Sequence, residues 1–307
     1  MIPLEEIRRA QVRLGADVVR TPLLRLDEHV WLKLENLQPI GSFKLRGALN
    51  AIRAASSPEL EHGVATVSAG NMAQGVAWAA REAGVRARIV VPDTAPRAKL
   101  DAIERLGGEL VVVSRAEWWQ TMLAGRHDAV QGLFVHPVVN ADVMAGNGTI
   151  GVELCDDLAA FDTVIVPWGG GGLTTGIASA VRQLRPDVRV VTAEPAGGAP
   201  FAAARAAGGP VEIEFAPSFV DGAGGPSLLP GMWERAAGLV DEAVTVPLDD
   251  VREAIRTLAS RAHVVAEGAG ALALAAARGR EGRTVCIVSG GNIDAAVLAG
   301  ILAGERP

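Results

Sequence analysis

The stretch TVIVPWGGGGLTTGIASAV, residues 163–181, runs from an apolar segment through four consecutive glycines into an Ala-rich segment. Its β-branched start predicts a buried strand from Thr163 to Val166, and the pattern after Gly172 predicts a helix. A tight turn needs one glycine, whereas four let several backbone N–H groups and a helix N-terminus face one spot. We predict an anion site here, with a simple strand-to-helix turn as the alternative. No Gly-Lys-Ser or Gly-Lys-Thr follows, so a phosphorylated cofactor fits better than a nucleoside triphosphate.

Short β-branched runs alternate with helical segments over much of the remaining chain. Further strands are predicted at 64–67, 87–91, 109–113, 133–135, 189–193 and 284–288. Strands separated by helix-length crossovers indicate an α/β fold with mostly parallel, doubly wound sheets, whose ligands bind at the carboxyl ends of strands. The alternation of strand and helix patterns is interrupted near residue 145, which suggests a domain boundary. Residues 194–231, rich in Gly and Pro, are predicted to form an irregular connection on the surface or at the mouth of a site.

Composition narrows the class of protein. The 307 residues are 49% hydrophobic and 21% charged, which is typical of a globular enzyme, and the net charge of -6 offers no basic footprint for nucleic acid or an anionic membrane. No apolar span reaches membrane length. Cys155 and Cys286 lack zinc-ligand spacing and are interpreted as buried small hydrophobes in a reducing compartment. We expect a cytoplasmic protein that binds a small molecule and no metal.

Two further turns could bind a ligand at the end of a strand. In TVSAGNMAQGVAWAA, residues 66–80, the sharp turn at Ala69, Gly70 and Asn71 would point amides outward and suit a carboxylate. Asn71 could equally be a helix cap. In TVCIVSGGNID, residues 284–294, Ser289 leaves a strand before two glycines, although a serine there is more often a turn cap.

The segments GNGTIG, residues 146–151, and GAGALA, residues 268–273, match the dinucleotide fingerprint only formally. Neither clearly follows a strand with an acidic residue about twenty positions on. We interpret both as helix-packing glycines.

Lys44, in PIGSFKLRGALN, is one of only three lysines among 29 basic residues. A lysine is by default a solvated surface residue. This one lies between Phe43 and Leu45 in the first turn of a predicted helix, where burial and the helix dipole both favour its neutral, nucleophilic form. A neutral lysine, a phosphate cradle and a carboxylate nest together suggest a Schiff base with pyridoxal phosphate.

These motifs, in this order, resemble the fold type II pyridoxal-phosphate enzymes, most closely the threonine/serine dehydratase group that includes serine racemase. The resemblance covers RTPLLRL, VWLKLENLQPIGSFKLRGALNAI, VSAGNMAQGVAWAA, IVPWGGGGLTTGIA and IVSGGNID, and so spans nearly the whole chain. It implies a tryptophan synthase β-like fold of two doubly wound domains. Residues 1–44 plus 146–307 would form the large cofactor-binding domain, and residues 45–145 a small mobile domain that closes over the substrate. A homodimer is expected.

The resemblance also implies a role for each motif residue. Lys44 would hold the cofactor as a Schiff base and then carry the substrate Cα proton. Asn71 would bind the ring 3′-oxygen, the glycine loop the phosphate, and Ser289 the pyridine nitrogen. The implied cofactor-binding residues are Phe43, Lys44, Asn71, Gly169, Gly170, Gly171, Gly172, Leu173 and Ser289. The implied substrate-binding residues are Ser68, Ala69, Gly70, Asn71 and Met72.

A serine opposite the ring nitrogen leaves the cofactor a weaker electron sink than a carboxylate would, which favours loss of a β-hydroxyl. The cofactor phosphate would be the acid for the leaving hydroxyl. The expected reaction is β-elimination from a small 3-hydroxy amino acid such as threonine or serine, giving a 2-oxo acid and ammonia.

This chain departs from the family pattern in three places. Met72 replaces the usual histidine of the substrate turn, which puts the substrate's identity in doubt. Ala69 replaces the second serine of the racemases, which argues against racemisation. Asp221 matches the aspartate of the family's divalent-cation site, but Pro217 occupies the glutamate position, so no metal is predicted. Glu194 lies near the implied site, where a solvated or structural role is favoured.

Other functions remain open at this stage. The same scaffold could be a dehydratase for 3-hydroxyaspartate, phenylserine or an ectoine-derived hydroxy amino acid, or a threonine synthase, although no second phosphate loop is found. A nicotinamide-dependent dehydrogenase using GNGTIG is a hypothesis from a different class. Met72 keeps a third hypothesis open, a non-catalytic protein that binds pyridoxal phosphate.

Overall fold

The computed structural model describes residues 1–306, and the strands of this part of the chain form two sheets. The strands are β1 Leu23–Arg25, β2 Val30–Lys33, β3 Val64–Val67, β4 Ala87–Pro92, β5 Gly108–Val113, β6 Leu133–Phe134, β7 Thr163–Pro167, β8 Arg189–Pro195, β9 Glu242–Val246 and β10 Thr284–Ile287. The six-stranded sheet has the order β1-β2-β10-β7-β8-β9, and the four-stranded sheet has the order β5-β4-β3-β6.

Neighbouring strands are parallel except β1 and β2, which pair antiparallel. The predicted α/β fold with mostly parallel sheets is therefore confirmed, and each predicted strand lies within two residues of an observed one. The sequence pattern does not predict β1, β2 or β9. β1 is only three residues long, and β2 ends on the charged side chain of Lys33, which is fully buried.

Helices connect the strands and cover the sheets. They are α1 Leu4–Leu14, α2 Lys44–Ala54, α3 Ser57–Leu60, α4 Asn71–Glu82, α5 Arg97–Arg105, α6 Arg115–Ala124, α7 Ala141–Asp157, α8 Gly172–Leu184, α9 Pro200–Ala207, α10 Met232–Ala236, α11 Leu248–Thr257, α12 Gly268–Ala276 and α13 Ala295–Ala303. In β7, Val164 and Val166 pack into one hydrophobic cluster and Ile165 into another. Both faces of the six-stranded sheet are thus covered, which explains its continuous apolar runs.

The chain crosses between the two sheets within helices α2 and α7. The predicted domain boundaries, at 44/45 and 145/146, lie inside these continuous helices, and the four-stranded sheet lies between them. The two helices cross closely. A Cβ atom at Gly47 would lie 2.7 Å from Val143 Cγ1, and one at Gly146 would lie 2.4 Å from the Arg46 carbonyl oxygen. The mobility of residues 45–145 remains a prediction.

The glycines of GNGTIG and GAGALA serve helix packing, as predicted. GNGTIG lies in the interior of α7, where Gly146 allows the close contact with α2, rather than directly after a strand. GAGALA opens α12, and a Cβ atom at Gly270 would lie 2.2 Å from the Gly290 carbonyl oxygen. The position of GNGTIG inside a helix removes the structural basis for a dinucleotide site there.

Cys155 and Cys286 are buried free thiols, as predicted. No helix within residues 1–306 is both long enough and apolar enough to cross a bilayer.

Candidate active site

Lys44 is the first residue of α2, and its amine faces an irregular segment after β6. Its Nζ donates a hydrogen bond to the Pro137 carbonyl oxygen at 2.9 Å and lies 5.2 Å from the centre of the Phe43 ring. Burial lowers the pKa of Lys44 to about 8, although the Glu267 carboxylate opposes this shift. The pKa moves in the direction predicted from the sequence, so more of the amine is neutral at physiological pH than for a solvated lysine.

Backbone pairing places Lys44 next to the end of β10. Ser42 and Gly290 form an isolated antiparallel bridge, and the Phe43 N–H donates to the Ser289 carbonyl oxygen at 3.0 Å. The Gly291 N–H donates to the Gly41 carbonyl oxygen at 2.8 Å. These bonds bring together two motifs that lie more than 200 residues apart in the sequence. Ser289 is buried close to the cofactor lysine predicted from the sequence.

The glycine loop after β7 is packed so tightly that side chains would not fit. A Cβ atom at Gly170 would lie 2.4 Å from Val138 Cγ2, and one at Gly172 would lie 2.8 Å from the Val138 carbonyl oxygen. Gly171 has φ +95°, and its Cβ would lie 2.5 Å from Trp168 Cη2. Val138 directly follows Pro137, whose carbonyl oxygen accepts the hydrogen bond from Lys44. The glycine loop and Lys44 therefore lie against the same segment, residues 137–138, which we call the wall.

The start of α8 offers unpaired donors at this loop. The N–H groups of Gly172, Leu173 and Thr174 have no carbonyl acceptor within the helix, because they belong to its first turn. The hydroxyls of Thr174 and Thr175 are also buried without a hydrogen-bond partner. A loop that excludes side chains and opens onto orphaned donors at a helix N-terminus fits a phosphate group. These residues therefore fit the phosphate of pyridoxal phosphate.

The turn from β3 into α4 is open by comparison. Ser68 Oγ accepts a hydrogen bond from the Gly70 N–H at 3.1 Å, and nothing lies within 4 Å of the place where a Gly70 Cβ would be. Ser68, Ala69 and Gly70 are half-buried. The Met72 side chain, in contrast, is 2% exposed and packs in the hydrophobic core. Only its backbone remains a natural candidate for a ligand contact.

Asn71 belongs to a hydrogen-bonded network rather than acting as the cap of α4. Gly70 is the N-cap residue, and Asn71 begins the helix. Its Nδ2 donates to Glu267 Oε1 at 2.8 Å, and its Oδ1 accepts from Asn292 Nδ2 at 2.7 Å. This network joins α4 to the start of α12 and to the segment after Ser289. The amide of Asn71 is therefore fixed in one orientation.

Glu267 and His136 are site residues that the sequence interpretation missed. Burial, together with the nearby Asp221 charge, raises the pKa of Glu267 to about 7. His136 Nδ1 accepts the N–H groups of Val138 and Val139 at 3.0 and 3.1 Å, which shapes the wall shared by Lys44 and the glycine loop. The only local signals were an acidic residue before GAGALA and a histidine directly after a predicted strand, and neither is specific.

Two carboxylates near the predicted site have other partners. Glu194 accepts the N–H groups of Phe201 and Ala202 at 2.9 and 2.7 Å, so it caps α9 in a structural role. Asp221 forms an ion pair with Lys99, and Pro217 offers no side-chain ligand atom in place of the family glutamate. Within residues 1–306 no group of three His, Cys, Asp or Glu side chains could hold a metal ion. The residues present therefore do not fit the family's divalent-cation site.

Comparison with known proteins identifies the family. The family described as "pyridoxal-phosphate dependent enzyme" matches residues 15–290. The chain belongs to this family of pyridoxal-phosphate-dependent enzymes.

Individual relatives agree with this assignment. An L-threonine ammonia-lyase of Thermotoga maritima is 38% identical, with 98% of this chain and 78% of the relative aligned. The structure of maize serine racemase superimposes with a TM-score of 0.88 at 31% identity, covering 99% of this chain and 97% of the other. A processed threonine deaminase from Solanum lycopersicum superimposes with a TM-score of 0.87 at 31% identity, covering 98% and 94%. The predicted fold type, family and cofactor are confirmed.

Proposed function

We propose that this enzyme is an ammonia-lyase that eliminates water from a small 3-hydroxy amino acid, with threonine or serine as the preferred substrate. Water then hydrolyses the resulting imine, so that the products are a 2-oxo acid and ammonia. The single observation that carries the proposal is the position of Lys44. Its amine has a lowered pKa and lies beside the end of β10, against the wall that also supports the glycine loop. The names of the relatives, threonine ammonia-lyase and threonine deaminase, support the same reaction.

The cofactor would be held by residues from both sheets. Lys44 Nζ would bind the aldehyde carbon, with Phe43 packed beside it. The amides of residues 169–173 would hold the phosphate. Ser289 would face the pyridine nitrogen, and Asn71 would bind the 3′-oxygen through its amide group.

Pyridoxal phosphate, when bound, supplies an electron sink that acidifies the Cα–H bond of an attached amino acid. Lys44 Nζ would accept that proton, because an amine with a pKa of about 8 can both take up and release a proton near neutral pH. A serine hydroxyl cannot keep the ring nitrogen protonated as a carboxylate would, which favours rapid loss of the β-hydroxyl.

The turn at residues 68–72 would bind the substrate carboxylate through its backbone amides. These amides lie at the carboxyl end of β3 and at the N-terminus of α4, where a negative charge is favoured. Because the Met72 side chain is in the core, it would influence the substrate only through its backbone. Ala69 carries no acid, which disfavours racemisation.

The chain's three lysines allow a direct test of the site. Borohydride reduction of the holoenzyme followed by peptide mass mapping should place the cofactor on Lys44, and Lys44→Ala should abolish both the label and turnover. Lys99→Ala is the control, because Lys99 is half-exposed and pairs with Asp221. A label on Lys33 or Lys99 would refute the assignment.

A panel of hydroxy amino acids tests the substrate. Threonine, serine, 3-hydroxyaspartate, phenylserine and ectoine-derived hydroxy amino acids should be supplied in turn, and 2-oxo acid and ammonia measured. Turnover of threonine or serine is expected. Release of phosphate from a phosphorylated substrate without an oxo acid would indicate a threonine synthase. Cofactor binding without any turnover would indicate a non-catalytic protein.

We further propose a cytoplasmic homodimer with no nucleic-acid partner. Two unpaired, buried thiols support a reducing compartment, and the net charge of -6 disfavours nucleic acid. The dimer is supported by family resemblance, and light scattering on the purified holoenzyme tests it. A monomeric mass would refute it.

A further inference from the structure

Four charged side chains are buried together around the start of α2. Lys33 and Glu35 are fully buried, Arg46 is 1% exposed and Glu153 is 6% exposed. We call these residues the buried quartet. Lys33 belongs to the six-stranded sheet, Glu35 follows it, Arg46 lies two residues after Lys44, and Glu153 lies on α7.

Arg46 is the centre of the buried quartet. Its Nε and Nη2 donate to Glu35 at 2.8 and 2.9 Å, and its Nη1 and Nη2 donate to Glu153 at 2.6 and 3.0 Å. Nη1 also donates to Thr149 Oγ1 at 3.0 Å, and Nη2 to the Val19 carbonyl oxygen at 3.1 Å. A planar guanidinium that forms two forked contacts with carboxylates has little freedom to rotate.

The other members complete the network. Lys33 Nζ donates to Glu153 Oε2 at 2.5 Å and to the Thr21 carbonyl oxygen at 2.8 Å. The Thr21 hydroxyl donates to Glu35 Oε1 at 2.6 Å. The two cations and two anions therefore neutralise each other. Within the described chain, none of the charged groups of the quartet lacks a partner.

A buried ion network of this kind is poorly explained by stability alone, because apolar residues of similar volume often stabilise a protein equally well. What the network adds is a fixed orientation of α2, since forked hydrogen bonds hold a helix at one rotation about its axis. The quartet joins β2, α2 and α7 where the chain crosses between the sheets, and β2 pairs with β10, which leads to Ser289. It therefore links α2 to β10, in addition to the direct backbone hydrogen bond from Phe43 to Ser289.

We propose that Arg46, held by Glu35 and Glu153, is a positioning residue that sets the direction of Lys44 towards the cofactor. This inference rests on Lys44 being the cofactor lysine. The orientation of α2 determines whether Lys44 Nζ points between Ser289 and the wall at Pro137. A change in the rotation of α2 would move the amine.

The test uses Arg46→Lys, which keeps the positive charge but cannot form the paired hydrogen bonds of a guanidinium with a carboxylate. The matched control is Arg182→Lys, because Arg182 binds Asp241 and the carbonyl oxygens of Leu239 and Val188 near the far end of α8 from the glycine loop. Melting temperature, kcat and KM are measured for each holoenzyme. After the cofactor has been removed, the rate at which added pyridoxal phosphate becomes borohydride-reducible on Lys44 is measured as well.

We expect Arg46→Lys to lower kcat by about 100-fold, as a displacement of about 1 Å can do. Attachment of the cofactor to Lys44 should slow in parallel, while KM changes little. We expect Arg182→Lys to lower the melting temperature by a similar amount but to keep the wild-type kcat and attachment rate. If both variants lose activity only in proportion to their melting temperatures, the proposal is overturned.

If Arg46→Lys does not fold, Thr149→Val keeps every charge and removes the hydrogen bond that Arg46 donates to Thr149, together with the one that Thr149 donates to the Gly146 carbonyl oxygen. It should lower kcat and the attachment rate in the same direction by a smaller factor, and wild-type values for both would overturn the proposal. Mapping the labelled lysine in the wild-type protein distinguishes failure of the proposed site from failure of the role of the buried quartet. A cofactor on another lysine refutes the proposed site, whereas normal labelling of Lys44 in the Arg46 and Thr149 variants refutes only the role of the buried quartet.

Discussion

The glycine loop at residues 169–172 and the turn at residues 68–72 are both strand-to-helix turns, yet the protein packs around them very differently. Cβ atoms at Gly170 and Gly171 would overlap Val138 and Trp168, whereas a Cβ at Gly70 would meet nothing within 4 Å. A permanently held phosphate needs a rigid cradle, and a substrate that enters and leaves needs space. On the proposed assignment, glycine content alone does not distinguish a cofactor loop from a substrate turn.

The largest expected effect is on the packed loop. Gly171→Ala should lose about 2–4 kcal/mol of unfolding free energy, because the alanine would be strained at φ +95° and would overlap Trp168. Urea unfolding with saturating cofactor measures this loss. Gly84→Ala is the control, since Gly84 has φ +68° with nothing within 4 Å and isolates the cost of the backbone. Equal losses in the two variants would show that packing does not define the loop.

The next effect concerns Glu267, the carboxyl group that accepts a hydrogen bond from Asn71 of the open turn. The pKa of Glu267 is about 7, above its ordinary value, so the folded protein binds the extra proton and stability should fall as pH rises from about 4.5 through 7. Glu267→Gln stays neutral and should remove roughly 2 kcal/mol of that decline, measured by urea unfolding between pH 5 and 8.

Glu59→Gln is the control of opposite sign, because hydrogen bonds from Ser56 lower the pKa of that exposed carboxyl. It should leave the decline above pH 5 unchanged. An unaltered pH slope in Glu267→Gln would show that this carboxyl is already ionised in the folded state.

A smaller effect is expected from Gly70→Ala on the open turn. The unfolding free energy should stay within about 0.5 kcal/mol of wild type, because the site has space and φ is negative. KM for threonine should rise roughly tenfold if the methyl group weakens one hydrogen bond to the substrate carboxylate. Gly209→Ala, also in open space, should leave KM unchanged. An unchanged KM in Gly70→Ala would move the carboxylate site elsewhere.

The smallest effect should come from the ion pair that links the two sides of the site. Lys99 on α5 pairs with Asp221, which precedes Gly222, the residue packed against the glycine loop at Gly169. Lys99→Met should cost less than about 1 kcal/mol, because both side chains are partly exposed to solvent. Treatment with EDTA should change neither the melting temperature nor kcat. A loss of activity restored by Mg²⁺ would show that Asp221 binds a cation.

Prediction from the sequence was confirmed for the α/β class and for the strand that begins at Thr163, because both follow from local patterns of apolar residues. It also agrees with the lowered pKa of Lys44, whereas the roles of Lys44 and the glycine loop stay predictions. It failed for β2, because a lysine at a strand end indicates an exposed position unless its partner is known. Glu153, 120 residues away, is that partner. Glu267 was missed for the same reason, since its contact with Asn71 spans 196 residues.

The sequence alone determined the α/β class and predicted a phosphate loop and a reactive lysine, because strand periodicity, glycine runs and residue chemistry are local properties. The tertiary structure alone decided that the Met72 side chain belongs to the core, that Glu194 caps a helix and that Asn71 is held by Glu267. It also assembled the buried quartet beside Lys44. Those outcomes depend on which distant side chains meet, and only the packed chain brings them within bonding distance.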